Sequence, residues 1–234
     1  MDAGPGVEAV IFDWGGTLTP WHTIDFAEES RALAAAVADA DETAAGLLAA
    51  AVQAVWARAR DHHTSATLAD IFTEAGLVHD ESLLTAYREF WAPHTHTDPD
   101  VPSLFGRLRA DGLRIGVLSN TVWPREWHED LFRRDGVLDL VDGAVYTSEV
   151  PWTKPAPEAF EAAVRAVGLE DPAACVFVGD RLFDDIWGAA NVGMRTVLVP
   201  HSDIPPEQLG HSAGEPDAVV HRLGEVYDVV GGWR

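Results

Sequence analysis

The sequence predicts an α/β fold: a doubly wound parallel sheet interrupted after its first strand by an inserted α-helical domain. Three observations carry that prediction. Short apolar runs rich in Val and Ile recur at Val7–Phe12, Arg114–Leu118, Ala144–Tyr146, Cys175–Val178 and Thr196–Val199, the pattern of strands buried on both faces. Segments of helical periodicity separate them, the alternation that builds a parallel sheet with helices on either side. Between the first and second runs, from about Thr23 to Trp91, the pattern is helical throughout.

Taken in order, the first run ends on Asp13 and passes into Gly15-Gly16, a turn able to bring backbone close to a ligand. In the inserted stretch Leu47, Leu48, Ala51, Val52, Val55, Trp56 and Ala59 return at three-to-four-residue spacing. Thr67 and Asp80 are expected helix N-caps and Gly76 an expected stop. Pro93, Pro99 and Pro102 suit a linker back to the sheet, and the Pro/Gly-rich stretch from Pro200 to Pro216 a loop before a last short strand and helix. Residues 1–20 and 96–234 are thus expected to form the α/β core and 21–95 a helical cap.

Composition narrows the function. The net charge of −22 repels polyanions, so nucleic acid is not an expected partner. Met1–Gly6 lacks the basic and apolar parts of a signal peptide, and the longest uncharged run, Thr43–Ala57, is too short to span a bilayer. A soluble, cytoplasmic protein with no membrane partner is expected. Cys175, the single cysteine, reads as a small buried hydrophobe.

Three of the apolar runs end in polar residues: Asp13, Ser119 with Asn120, and Asp180. In doubly wound sheets ligands sit beyond the carboxyl ends of the strands, so these ends can converge on one site. Singly, each has a plain alternative, since Asp13 suits a turn and Leu118-Ser119-Asn120 an ordinary loop. Lys154 stands before a Pro-rich helix start and is the one lysine beside fifteen arginines. That contrast points to a need for a compact point charge with rotatable donors. Asp180, Asp184 and Asp185 crowd the end of a buried strand. They would repel one another unless a cation such as Mg²⁺ neutralised them, the alternative being a solvated acidic loop.

Together these pieces resemble the haloacid dehalogenase superfamily. Asp13 with Thr17 matches its nucleophile motif, Ser119 its second motif and Lys154 its third; Gly179, Asp180, Asp185, Gly188 and Ala189 match the acidic fourth. The resemblance implies a Rossmann-like core with a cap after the first motif, and a hydrolase acting on a small phosphorylated molecule with Mg²⁺ as cofactor. It implies Asp13 as nucleophile, forming an aspartyl phosphate. Thr17, Ser119, Asn120 and Lys154 would hold the phosphoryl group, and Asp13, the Gly15 carbonyl, Asp180 and Asp185 the metal.

Gly15 departs from the family pattern, because typical phosphatases of the family carry there a second Asp that protonates the leaving group. A positioned acid contributes about 10²- to 10⁴-fold, so an activated or unusual phosphate is the expected substrate. Phosphorus–carbon cleavage is disfavoured, since the relatives that perform it use a cap lysine and this cap has none. The remaining readings are a phosphatase whose acid comes from elsewhere, with His22 the candidate, a non-catalytic phospholigand-binding or regulatory protein, and, less favoured, a haloacid dehalogenase-type hydrolase. His62-His63 and His94-Thr95-His96 lack the four fixed ligands of a zinc site. Trp21, Trp123, Trp127 and Trp152 fall near strand ends or the cap entrance, as pocket lining or as core.

Overall fold

The computed structural model describes residues 6–20, 25–36, 42–78, 81–200 and 213–234. Six parallel strands form one sheet: β1 (Ala9–Phe12), β2 (Arg114–Ser119), β3 (Gly143–Tyr146), β4 (Cys175–Gly179), β5 (Arg195–Leu198) and β6 (Ala218–Val219). Their order is β3-β2-β1-β4-β5-β6. The chain builds outward from β1 to β3, returns to β4 on the other flank of β1, and builds outward again. The switch point of this doubly wound sheet therefore lies between β1 and β4, where such sheets place their ligands.

Strand pleating explains why the strands read as continuous apolar runs. On one face Val10, Phe12, Ile115, Val117, Val176 and Val178 pack with residues of α5 (Val101–Ala110), α6 (Arg125–Arg134) and α9 (Val226–Gly231). On the other face Ala9, Ile11, Leu118, Cys175 and Phe177 pack with Ala159, Phe160, Ala163 and Val164 of α7 (Pro157–Ala166) and Ala189 of α8 (Gly188–Asn191). Both faces are apolar, so the two-residue side-chain alternation leaves no polar stripe. Strand ends fall within two residues of the sequence reading, and β6 followed by α9 matches the expected final strand and helix.

Four helices, α1 (Phe26–Ala36), α2 (Glu42–His62), α3 (Leu68–Glu74) and α4 (Glu81–Trp91), fill the stretch between β1 and α5. On α2 the side chains of Leu48, Ala51, Val55 and Ala59 turn inward, whereas Leu47 and Trp56 lie on the exposed edges of the stripe at 51% and 41% exposure. Thr67 caps α3 as expected: its hydroxyl accepts from Asp70 N at 3.3 Å while Asp70 Oδ2 accepts from Thr67 N at 2.7 Å. Gly76, at φ 71°, closes the turn after it. The expected cap at Asp80 lies outside the described residues. Pro102 corrects the linker reading, because it stands in the first turn of α5, where a fixed φ and a missing N–H cost nothing.

The four helices share a second hydrophobic cluster built from Leu33, Leu48, Val55, Phe72, Leu83 and Tyr87. Val122 and Trp123, from the loop after β2, belong to it as well. Even the longest helix, α2, is not long and apolar enough to cross a membrane, and the same holds for every helix among the described residues.

Candidate active site

Register brings the polar strand ends together. Phe12 pairs with Val117 on β2 and Val178 on β4, and Asp13 N donates to Val178 O at 2.9 Å. Asp13, Ser119 and Asp180 therefore leave three adjacent strands at nearly the same height, at the switch point. All three are buried. The loop after Asp13 folds back on itself, with Thr17 N and Thr19 N donating to Trp14 O at 3.3 and 2.9 Å. The positive φ that turn requires falls on Gly16, at 97°. Gly15 keeps a negative φ, and a Cβ there would meet no atom within 4 Å. The hydroxyl of Thr17 is buried without a hydrogen-bond partner.

Lys154 arrives from the segment before α7 and is held at its backbone by Asn120. Lys154 N donates to Asn120 Oδ1 at 2.8 Å, and Asn120 Nδ2 donates to Lys154 O at 3.0 Å. Asn120 thus faces the lysine backbone with both ends of its amide. The side chain of Lys154, fully buried, donates from Nζ to Asp13 Oδ1 at 2.5 Å and to Asp185 Oδ1 at 2.6 Å. Burial opposes its charge, but the two carboxylates outweigh burial and hold its pKa above the ordinary lysine value.

Asp185 reaches this point through a local irregularity. After β4 the chain makes a π-helical turn, Leu182–Trp187, in which Ile186 N donates to Arg181 O at 3.1 Å. Asp185 Oδ2 accepts from Arg181 N at 2.9 Å. The carboxylate folds so close to β4 that a Cβ on Gly179 would lie 2.4 Å from it. A side chain at 179 and Asp185 in this pose exclude one another.

Carboxylate oxygens of Asp13, Asp180 and Asp185 all lie within 4.8 Å of one another. Fully ionised, three carboxylates against one ammonium leave the cluster at −2. Burial pushes the Asp13 carboxyl up to about 6, with Lys154 pulling it down and Asp185 adding to the rise. Asp180 is raised well above the usual carboxylate range, by burial first and then by Asp13 and Asp185. Neither Asp180 oxygen has a hydrogen-bond partner among the described residues. Unpartnered buried carboxylate oxygens are costly unless a cation meets them, and an all-oxygen donor set suits a hard divalent ion such as Mg²⁺.

The structure therefore gathers Asp13, Asn120, Lys154, Asp180 and Asp185, with Ser119 at the adjoining strand end and Gly15 and Thr17 in the loop that leaves Asp13. Among the described residues no histidine joins a group of metal-ligand geometry. Trp123 is interior, 5.3 Å from Trp14 and 5.7 Å from Trp91, its Nε1 donating to the Tyr87 hydroxyl at 3.1 Å. Trp152 is more than a third exposed. Trp21 and His22 lie outside the described residues.

A doubly wound sheet with an acidic cluster and a buried lysine at its switch point is the core of a hydrolase family, and the chain belongs to it: the model of the haloacid dehalogenase-like hydrolases matches residues 7–193. Among curated proteins, a glyceraldehyde 3-phosphate phosphatase of Methanopyrus kandleri is 31% identical over 147 residues, which cover 63% of this chain and 62% of that protein. One of Methanothermobacter thermautotrophicus is 35% identical over 113 residues, 48% of each. The chain thus spans from about half to about three fifths of these relatives' lengths. Among solved structures, a HAD phosphatase from Thermococcus onnurineus has a TM-score of 0.68 at 22% identity, covering 97% of this chain and 100% of that one, and shares the fold.

Proposed function

We propose that the chain is a Mg²⁺-dependent phosphatase acting on a small molecule through an aspartyl phosphate on Asp13. The observation that carries this reading is the convergence of three buried carboxylates, one of them with both oxygens unpartnered, on a single buried lysine. Asp13 Oδ attacks phosphorus, Ser119 and Lys154 hold the phosphoryl oxygens as charge develops, and Asn120 fixes the lysine that does so. Asp13, Asp180, Asp185 and the Gly15 carbonyl would hold the ion, which when bound supplies Lewis-acid charge stabilisation. Lys154 keeps Asp13 oriented between turnovers and lowers the share of its protonated, non-nucleophilic form.

Several facts support a phosphatase over the dehalogenase and binding-protein readings. Attack on carbon needs no metal, yet here the metal-type carboxylates are present and one has no other partner. The curated relatives above are named as phosphatases, and glyceraldehyde 3-phosphate belongs in any first set of substrates. Trp14, next to Asp13, and Val122 and Trp123, after β2, pack with the α1–α4 cluster, which supports a cap role for those helices.

The test is a hydrolysis screen with and without millimolar MgCl₂, over alkyl phosphates including glyceraldehyde 3-phosphate, acyl phosphates, p-nitrophenyl phosphate and 2-chloropropionate. Phosphate release that requires Mg²⁺ is the expected outcome. Chloride release without metal would assign the dehalogenase reading. No turnover, with phosphate compounds raising the melting temperature, would assign the binding protein.

A further inference from the structure

The chemistry above leaves one proton without a donor, because Gly15 has no side chain to protonate the leaving oxygen. Backbone strain, burial and chain pairing meet at one titratable residue outside the cluster, His63, directly after α2. Its φ of 52° is the one positive value at a non-glycine position among the described residues. Such a conformation is unfavourable for an L-residue and persists where the surroundings impose it. Those surroundings are a stitch of three pairings to the segment that carries Lys154. His63 O accepts from Thr153 N at 3.1 Å, Thr64 forms an antiparallel bridge with Trp152, and Ser65 N donates to Pro151 O at 3.2 Å. His63 is thereby fixed opposite the residue next to Lys154.

The ring also lies beside the acidic motif. It lies 6.4 Å, centroid to centroid, from Phe183, inside the turn that carries Asp185. Asp184 of that turn and Asp61 of α2 lie among its charged neighbours. His62 precedes it in the chain, and Lys154 follows Thr153, its partner in the pairing. His63 Nδ1 is buried without a hydrogen-bond partner, and so is the Thr153 hydroxyl beside it in the stitch. Two orphaned polar atoms at the junction of two motifs, one on a residue held in a strained conformation, are the mark of a position shaped by something other than packing.

We propose that His63 is the general acid that replaces the missing carboxylate at position 15. The inference rests on the phosphatase reading. As the bond between phosphorus and the leaving oxygen breaks, its electron pair stays on that oxygen and the proton passes from the imidazolium, giving the alcohol, neutral His63 and the aspartyl phosphate. A water then attacks phosphorus and gives its proton to the imidazole, which returns phosphate, free Asp13 and imidazolium.

The experiment compares kcat/KM, which reports the bond-breaking step, for an alkyl phosphate and for p-nitrophenyl phosphate, whose leaving group needs no proton. In His63→Asn, where Asn also tolerates positive φ, the alkyl phosphate should lose roughly 10²- to 10⁴-fold and p-nitrophenyl phosphate less than about tenfold. Adding Gly15→Asp to that variant should restore much of the loss on the alkyl phosphate. His63→Gln, checked by circular dichroism and melting temperature, covers the case in which the first variant folds poorly. Equal losses on the two substrates, or none, would overturn the assignment of His63. A wild type that hydrolyses neither substrate with Mg²⁺ would instead overturn the phosphatase reading beneath it.

Discussion

Asp180 takes a full carboxylate into the interior beside two others and finds no donor there. At the scale of one residue that makes its charge a liability until a cation arrives. Asp180→Asn should therefore raise the melting temperature of metal-free protein, since it removes a repelled and desolvated charge. In the wild type MgCl₂ should stabilise by mass action, about 2.7 kcal/mol when the ion is at one hundred times its Kd. The variant should lose most of that gain. Equal MgCl₂ shifts in the two proteins would remove Asp180 from the metal site. Legibility at this scale followed chemical rarity: Lys154 stood out because the other fifteen cations are all arginines, and among the described residues it is the Lys or Arg that is buried. Asn120 showed no such contrast. Its bonds to Lys154 link residues 34 apart in the chain, and spacing along a sequence does not encode a clamp of that kind.

At the scale of elements, the turn Leu182–Trp187 depends on Gly179 having no side chain. Gly179→Ala would set a Cβ at 2.4 Å from the Asp185 carboxylate, so the carboxylate must leave Lys154 or the turn must move. The expected result is loss of Mg²⁺-induced thermal stabilisation and at least a tenfold drop in turnover, with an overpacking cost of about 1–3 kcal/mol. Retained metal response and activity would mean that Asp185 is not required in this pose. The strands were legible because burial on both faces leaves an uninterrupted apolar run. The helical stretch was legible from its periodicity, although Leu47 and Trp56 show how a run of apolar residues overstates the buried face. What periodicity could not reveal is the pairing of Thr64 with Trp152, or Val122 and Trp123 entering the helices' cluster. Those are single long-range contacts, and a solitary contact has no period.

For the whole molecule, the helical layer holds a titratable group in its interior. Glu29 on α1 is buried, and burial pushes its carboxyl up to about 7 from an ordinary 4.5, although Trp91 Nε1 donates to it at 2.8 Å and pulls the other way. Below pH 4.5 the carboxyl is protonated in folded and unfolded chains alike, and nothing is lost. As pH rises from 4.5 to about 7 the unfolded chain releases this proton first, so stability falls across that window and levels off above it. The full loss is on the order of 3 kcal/mol, from about 1.4 kcal/mol for each pKa unit. Glu29→Gln should accordingly match the wild type near pH 4.5 and exceed it in urea denaturation at pH 8. An advantage independent of pH would contradict this account.

Among the described residues the same layer is tied to the α/β part by the pairing of residues 63–65 with 151–153, by Val122 and Trp123 sunk among its helices and by the Arg88–Asp130 ion pair. A cover pinned in this way does not swing like a door. To lift the helices from residues 151–153, three backbone pairings must part together, and hydrogen exchange at Thr153 N and Ser65 N would report how often they do.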